Sequence, residues 1–65
     1  MKGYAEEIEN LMYRHYVKLS EKDKRHYAAI EAAKLGHGGI TYIAELFGCD
    51  RHTIATGLEE LKKMI

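Results

Sequence analysis

Helix-forming residues fill most of this sequence, and two breaks marked by glycine divide it. Proline, which disrupts helix interiors, does not occur among the 65 residues. The first break contains Gly36, Gly38 and Gly39, and the second is Gly48. Glycine readily adopts the backbone angles that end a helix and turn the chain. The sequence therefore predicts one small all-α domain.

Four helices are predicted, over residues 4–19, 21–35, 42–47 and 51 to about 63. Ser20, Thr41 and Asp50 directly precede the last three, where N-cap residues stand. Gly36 follows the second helix, and we expect it to end that helix in the left-handed conformation. The middle of the second helix, residues 27–33, is rich in alanine, so other helices can approach it closely. We therefore expect it to be the central helix.

The first predicted helix, within an N-terminal segment 1–19, is amphipathic. Its apolar stripe consists of Tyr4, Ile8, Leu11, Met12, His15 and Leu19, at spacings of three and four. Two interpretations remain open. The stripe packs on the central helix, or it forms the seam of a homodimer.

Residues 20–65 carry the spacing of a helix-turn-helix domain. Counted from Ile40, apolar residues occupy places four, eight, ten and fifteen, which are Ile43, Phe47, Cys49 and Ile54. Ala44 at place five lets two helices cross closely, and Gly48 at place nine makes the turn. We expect Ile54, Leu58, Leu61 and Ile65 to form the buried stripe of the last helix. The predicted fold is a homeodomain-like three-helix core with an added N-terminal helix.

A helix-turn-helix of this kind places its second helix in the major groove of double-stranded DNA. The predicted groove contacts are Arg51, His52, Thr53 and Thr56, because Arg binds guanine and Thr binds base edges or a thymine methyl. Lys22, Lys24 and Arg25 are the predicted phosphate contacts. The alternative is that all seven are solvated side chains of a plain helical packing unit.

Charge and cysteine content restrict the other classes of function. Ten basic residues balance ten acidic ones, so the composition itself does not favour nucleic acid. A single cysteine, Cys49, allows no internal disulfide, and we expect a cytoplasmic protein. The sequence contains no membrane-spanning run, no phosphate loop and no cofactor motif. Cys49 and His52 form only one close pair of ligands, so we expect neither a metal site nor a cofactor.

Several segments together resemble the N-terminal region of a family of prokaryotic insertion-sequence transposases with a DDE catalytic domain. They are LSEKDKR at 19–25, YAAIEA at 27–32, EAAKLGHGGI at 31–40, Ile43-Ala44, Gly48-Cys49, Thr53-Ile54 and GLEEL at 57–61. The resemblance covers residues 19–63, and the segment 31–40 is its most distinctive part. One departure is Ala55-Thr56, where the family often has basic residues.

The resemblance implies recognition of the terminal inverted repeats of a mobile element. In that family, strand transfer belongs to a downstream domain, so we expect no catalytic residue in this chain and no enzyme activity from it alone. A stand-alone transcriptional regulator and a helical protein–protein interaction module are the two alternatives. Under all three hypotheses, we expect neither a membrane nor a small-molecule substrate as a partner.

Overall fold

The computed structural model describes residues 3–64, which form four helices joined by short connections. The helices are α1 (Glu6–Tyr16), α2 (Glu21–Leu35), α3 (Gly39–Phe47) and α4 (Arg51–Lys63). No strand occurs in this part of the chain, so the predicted all-α fold is confirmed. α2 contacts each of the other three helices, and α3 packs on α4 and α1. None of the four is long and apolar enough to cross a membrane.

α2 begins and ends where the sequence predicts. The Ser20 hydroxyl accepts a hydrogen bond of 3.2 Å from the backbone N–H of Asp23, as an N-cap does. Gly36 ends the helix with φ 74° and ψ −138°. Its φ is positive, but its ψ is far from the left-handed helical value, so the predicted conformation is wrong in that angle.

α3 begins three residues before its predicted start at residue 42. Gly38, with φ 83° and ψ −7°, occupies the N-cap position, and Thr41 lies inside the first turn instead of capping it. A Cβ on Gly39 would lie 2.3 Å from the carbonyl oxygen of Ala32. The two glycines therefore let the first turn of α3 rest directly on the backbone of α2.

The core is small and rich in alanine. Ile43 of α3 and Ile54 of α4 are the largest side chains that are fully buried. The remaining buried apolar residues are Met12, Ala28, Ala29, Ala32, Ala44 and Phe47. Because α2 contributes only alanines to this set, the helices can approach it closely, in agreement with its predicted central position.

α4 meets α2 at a glycine that the stripe pattern did not single out. A Cβ on Gly57 would lie 2.5 Å from the carbonyl oxygen of Arg25. Of the predicted stripe, Ile54 is buried, whereas Leu58 and Leu61 are half-buried. Ile65 lies outside the described residues.

α1 is shorter than the predicted segment 4–19 and buries only part of the predicted stripe. Met12 is its one buried residue within residues 3–64, whereas Ile8, Leu11 and His15 of the predicted stripe are exposed. The contacts that hold α1 come partly from this stripe and partly from the neighbouring face. The His15 ring meets the Tyr27 ring of α2 edge-on, with 5.2 Å between centroids. The Tyr16 ring stacks on Phe47 with 4.1 Å between centroids.

A second contact holds the start of α1 against α3. The Tyr42 hydroxyl donates a hydrogen bond to the carboxylate of Glu9 and accepts one of 2.9 Å from the backbone N–H of Tyr4. Burial, and then the bond to Glu9, raise the pKa of Tyr42. With α1 held by these contacts, Ile8 and Leu11 of the predicted stripe are exposed to solvent.

Candidate nucleic-acid interface

A tight glycine turn joins α3 to α4. Gly48 has φ 69° and ψ 32°, the left-handed conformation that glycine adopts most readily. The backbone N–H groups of Gly48 and Cys49 both donate to the carbonyl of Ala44. Ala44 is itself buried. The small residue and the glycine therefore hold the positions that the helix-turn-helix spacing assigns to them.

Asp50 fixes the start of α4. Its Oδ1 accepts a hydrogen bond of 2.9 Å from the backbone N–H of His52. The side chains of Arg51, His52 and Thr53 in the first turn are exposed, and Thr56 in the next turn is half-buried. The cap thus leaves an arginine and a histidine exposed at the N-terminal end of the predicted recognition helix.

Arg51 and His52 lie together in a shallow groove between the starts of α3 and α4. The groove is also lined by Thr41, Asp50 and Ala55. Within residues 3–64, neither Arg51 nor His52 forms a salt bridge. Thr53 is separated from Arg51 by about 200° around the helix and therefore points to the other flank. The structure brings Arg51 and His52 together and leaves Thr53 apart.

Two of the three predicted phosphate contacts on α2 have other partners. Arg25 donates from Nε and Nη2 to the two carboxylate oxygens of Glu60, at 2.9 and 3.2 Å. Lys24 lies 3.9 Å from Glu21, and its Nζ is 5.5 Å from the centroid of the Tyr16 ring. These contacts hold Arg25 and Lys24 against the protein.

Lys22 remains exposed, but it lies beside the last turns of α4. Lys22 shares a groove with His26, Glu60 and Met64, near the C-terminal end of α4. Arg51 is the first residue of α4. The predicted phosphate contact and the predicted base contact therefore occupy different ends of α4. Of the three predicted phosphate contacts, only Lys22 forms no salt bridge within residues 3–64.

Glu60 is the residue of this region that sequence analysis missed. Besides the two bonds from Arg25, its Oε1 lies 2.9 Å from Nε2 of His26. The bonds from Arg25 and His26 lower the pKa of Glu60. The same contact raises the pKa of Arg25. No local sequence pattern indicates this cluster, because His26 and Arg25 lie 34 and 35 positions before Glu60 in the chain.

Acidic side chains also border the groove. Glu45 lies beside Arg51 in a depression on the α3 side, and it is exposed. Glu59 is exposed on the same face of α4 as His52, about 20° away around the helix. The face that would meet DNA therefore carries mixed charge, as the overall balance indicates.

Cys49 is part of this turn. It is half-buried, less than its apolar helix-turn-helix place predicts, and burial raises the pKa of its thiol. Within residues 3–64 no three His, Cys, Asp or Glu side chains come close enough together to hold a metal ion. The thiol lies beside Tyr16, whose pKa burial raises to about 12.

Comparisons of the chain with models of protein families, with curated proteins and with solved structures find no match. The transposase resemblance therefore remains a prediction that depends on the quoted segments.

Proposed function

We propose that this protein binds double-stranded DNA, with α4 in the major groove. The observation that carries the proposal is the first turn of α4. Arg51 and His52 are exposed there, without an ion-pair partner in residues 3–64, directly after a turn fixed by Gly48 and Asp50. A recognition helix contacts bases mainly through such N-terminal residues.

The chemistry of these side chains suits base recognition. A guanidinium such as that of Arg51 can donate two parallel hydrogen bonds to O6 and N7 of guanine. His52 can donate or accept at a neighbouring base edge. Thr56 lies one turn further along the same face and can contact an edge or a thymine methyl group.

The charge distribution points to modest affinity. Nonspecific binding to DNA depends on how many phosphates Lys and Arg neutralise. Here Arg25 is paired with Glu60, and the exposed carboxylate of Glu59 faces the same side as His52. We therefore expect a shallow dependence of affinity on salt, with most discrimination coming from the groove contacts.

The biological role that we propose is recognition of transposon ends, as the DNA-binding part of a transposase. Support for this role comes from the resemblance over residues 19–63. A stand-alone transcriptional regulator would use the same helix in the same groove. The two roles differ in the DNA that is bound: inverted repeats at the ends of a mobile element, or a site upstream of a gene.

Binding can be tested by fluorescence anisotropy with labelled duplexes of randomised sequence, titrated at low and at moderate salt. We expect salt-dependent binding to the random duplexes. On a duplex of the sequence enriched from them by selection, Arg51→Ala and His52→Ala should weaken binding by about tenfold or more at the lower salt, the loss typical of one base contact. Lys34→Ala is the matched control, because Lys34 is an exposed basic residue on α2 that is not among the proposed DNA contacts. Its affinity should equal that of the unmodified chain.

Absence of any salt-dependent binding at micromolar protein would refute the proposal. If Lys22→Ala lowers the affinity while Arg51→Ala leaves it unchanged, DNA binds but α4 does not present its N-terminal turn to the groove. Circular dichroism of each variant separates loss of a contact from loss of the fold.

Selection of bound fragments from sheared DNA of the source genome separates the two roles. Fragments that carry terminal inverted repeats support transposon-end recognition. Enrichment of sequences upstream of genes, without inverted repeats of a mobile element nearby, supports the regulator instead.

A second candidate function, a protein–protein interaction module, is favoured by one surface. Ile30 of α2 is exposed and forms a shallow apolar groove with Leu58 and Leu61 of α4. Lys34 and Lys62 flank this groove. Ile30→Glu leaves the proposed DNA contacts untouched. If that variant still binds DNA but no longer supports the activity of the protein in cells, the interaction module is favoured.

A further inference from the structure

α1 leaves a face without a partner in residues 3–64. Ile8 and Leu11 have 43% and 59% of their surface exposed, although each is a large apolar side chain on a regular helix. The helix is already held through other residues, because Met12 is buried and Tyr16 stacks on Phe47. The exposed pair is therefore not required for attaching α1 to its own domain.

Charges flank this pair in a particular order. Glu7 lies one turn before Leu11, and Arg14 lies about one turn after it, both within about 60° of Leu11 around the helix. Both side chains are exposed, and neither forms a salt bridge within residues 3–64. One end of the exposed face is thus negative and the other positive.

We propose that two copies of this chain associate through α1, with the two helices antiparallel about a two-fold axis near Leu11. In this arrangement Ile8 and Leu11 of one copy pack against the same pair of the other. Glu7 of each copy then lies beside Arg14 of its partner. The same surface of each copy then forms the interface, as two-fold symmetry requires.

The exposed face of α1 is complementary to itself, and this favours a second copy of the chain as its partner. An antiparallel pair joins the negative end of one helix to the positive end of the other, so both flanking charges are matched twice. A parallel pair would place Glu7 against Glu7 and Arg14 against Arg14. The order of charges along α1 therefore favours the antiparallel arrangement over the parallel one.

The association does not depend on the proposed DNA binding, because α1 carries none of the proposed base contacts. If both hold, the dimer presents two copies of α4 to two half-sites, and linking the two raises the affinity for paired sites. The apolar contact is small, so we expect a weak dimer whose population rises with protein concentration.

Sedimentation velocity of the full chain over a concentration series, up to about 1 mM and without DNA, tests the proposal. We expect a concentration-dependent shift from monomer to dimer. Leu11→Glu should raise the dimer dissociation constant by about tenfold or more, because it buries a charge in the seam. Val17→Glu is the matched control: Val17 is also exposed, but it lies about 120° from Leu11 around the helix axis.

A charge exchange gives the decisive comparison. Glu7→Arg and Arg14→Glu should each weaken the dimer, and the double variant Glu7→Arg/Arg14→Glu should restore it, since the antiparallel pair is then matched again. Thermal unfolding of each variant shows whether the fold persists.

Three results would overturn the proposal. The first is a chain that stays monomeric at the highest concentration. The second is a dimer that Leu11→Glu and Val17→Glu weaken equally. The third is a dimer that Ile30→Glu abolishes while the charge exchange has no effect, because α2 and α4 would then supply the interface. None of these results bears on whether Arg51 contacts DNA, so failure here and failure of the proposed function are distinguishable.

Discussion

Arg25 and Glu60 form a bidentate ion pair across 35 positions of sequence, with Nε and Nη2 of the arginine 2.9 and 3.2 Å from the two carboxylate oxygens. The pair joins the start of α2 to the end of α4. It also removes a basic side chain from the set available to phosphates. The same contact therefore contributes to the fold and limits the charge that DNA can meet.

This pair predicts acid sensitivity. Bonds from Arg25 and His26 hold the pKa of Glu60 below its ordinary value of 4.5, so its contribution to stability is fully present above pH 4.5 and is lost as the pH falls through the lower folded value. We expect Glu60→Gln to unfold at a lower denaturant midpoint than the unmodified chain at pH 7. The difference should shrink below pH 4.5. A difference that stays constant into the acid range would contradict the assignment.

Arg25 itself should matter more for stability than for DNA. We expect Arg25→Ala to lower the denaturant midpoint and to leave DNA affinity close to that of the unmodified chain, when both are measured by anisotropy at the same salt. A drop in affinity specific to Arg25→Ala, with the fold intact, would show that the guanidinium leaves Glu60 to reach a phosphate.

At position 57 we expect the usual preference of a helix for alanine over glycine to be reversed. Alanine normally stabilises a helix interior relative to glycine by about 1 kcal/mol. A Cβ at position 57 would lie 2.5 Å from the carbonyl oxygen of Arg25, and a backbone atom cannot move aside as a side-chain end can. We therefore expect Gly57→Ala to lower the free energy of unfolding, by about 1–3 kcal/mol.

The control for Gly57 is Ala55→Gly, at an exposed position of the same helix. Propensity alone should lower its free energy of unfolding by about 0.5–1 kcal/mol. Urea unfolding of both variants checks the pair of predictions. If Gly57→Ala is more stable than the unmodified chain, α2 and α4 are not in the close contact described.

Tyr16 predicts alkaline sensitivity. Burial raises its pKa from 10.0 to about 12, so the folded state holds the phenolic proton more tightly than the unfolded chain does. The stability that follows from this is present below pH 10.0 and is lost as the pH rises towards 12. Tyr16→Phe should retain the stack on Phe47 and show a smaller loss of stability over that range. Tyr13→Phe, at an exposed tyrosine, should keep the full loss.

Glu59 predicts a gain in DNA binding. Its exposed carboxylate lies on the proposed groove face, where it repels phosphates. Glu59→Gln should raise the affinity for random duplexes by about threefold at low salt and have a smaller effect at higher salt, where charges are screened. Glu6→Gln, at an exposed acid on α1, is the control and should change little. An unchanged affinity for Glu59→Gln would place this face away from DNA.

Local chemistry made much of the fold predictable. Ser20 and Asp50 cap their helices through their own side chains, and the capping bonds reach only two or three residues along the chain. Such short-range rules can be applied without knowing the fold. The start of α3 was missed because Thr41 resembles a cap, whereas Gly38 can take a positive φ and Gly39 can rest on Ala32.

The face of α1 and the partners of Arg25 could not be predicted, because both depend on contacts between distant segments. Apolar residues lie on several sides of α1, so periodicity alone does not choose among its faces. Tyr42 and Phe47, on α3, make that choice by binding Glu9 and Tyr16. The exposed position of Arg51 and His52 follows from the local cap at Asp50, whereas the pairing of Arg25 with Glu60 depends on a distant segment.

The central position of α2 has a consequence for how this small protein opens. Because α2 packs against all three of the other helices, its middle amides reach solvent only when the other helices separate from it. Hydrogen–deuterium exchange should therefore find the amides around Ala29 protected by nearly the whole free energy of unfolding. α1 rests on Met12 and on the contacts of His15, Tyr16 and Tyr42. Its amides should exchange earlier, through a local opening that leaves the helix-turn-helix folded.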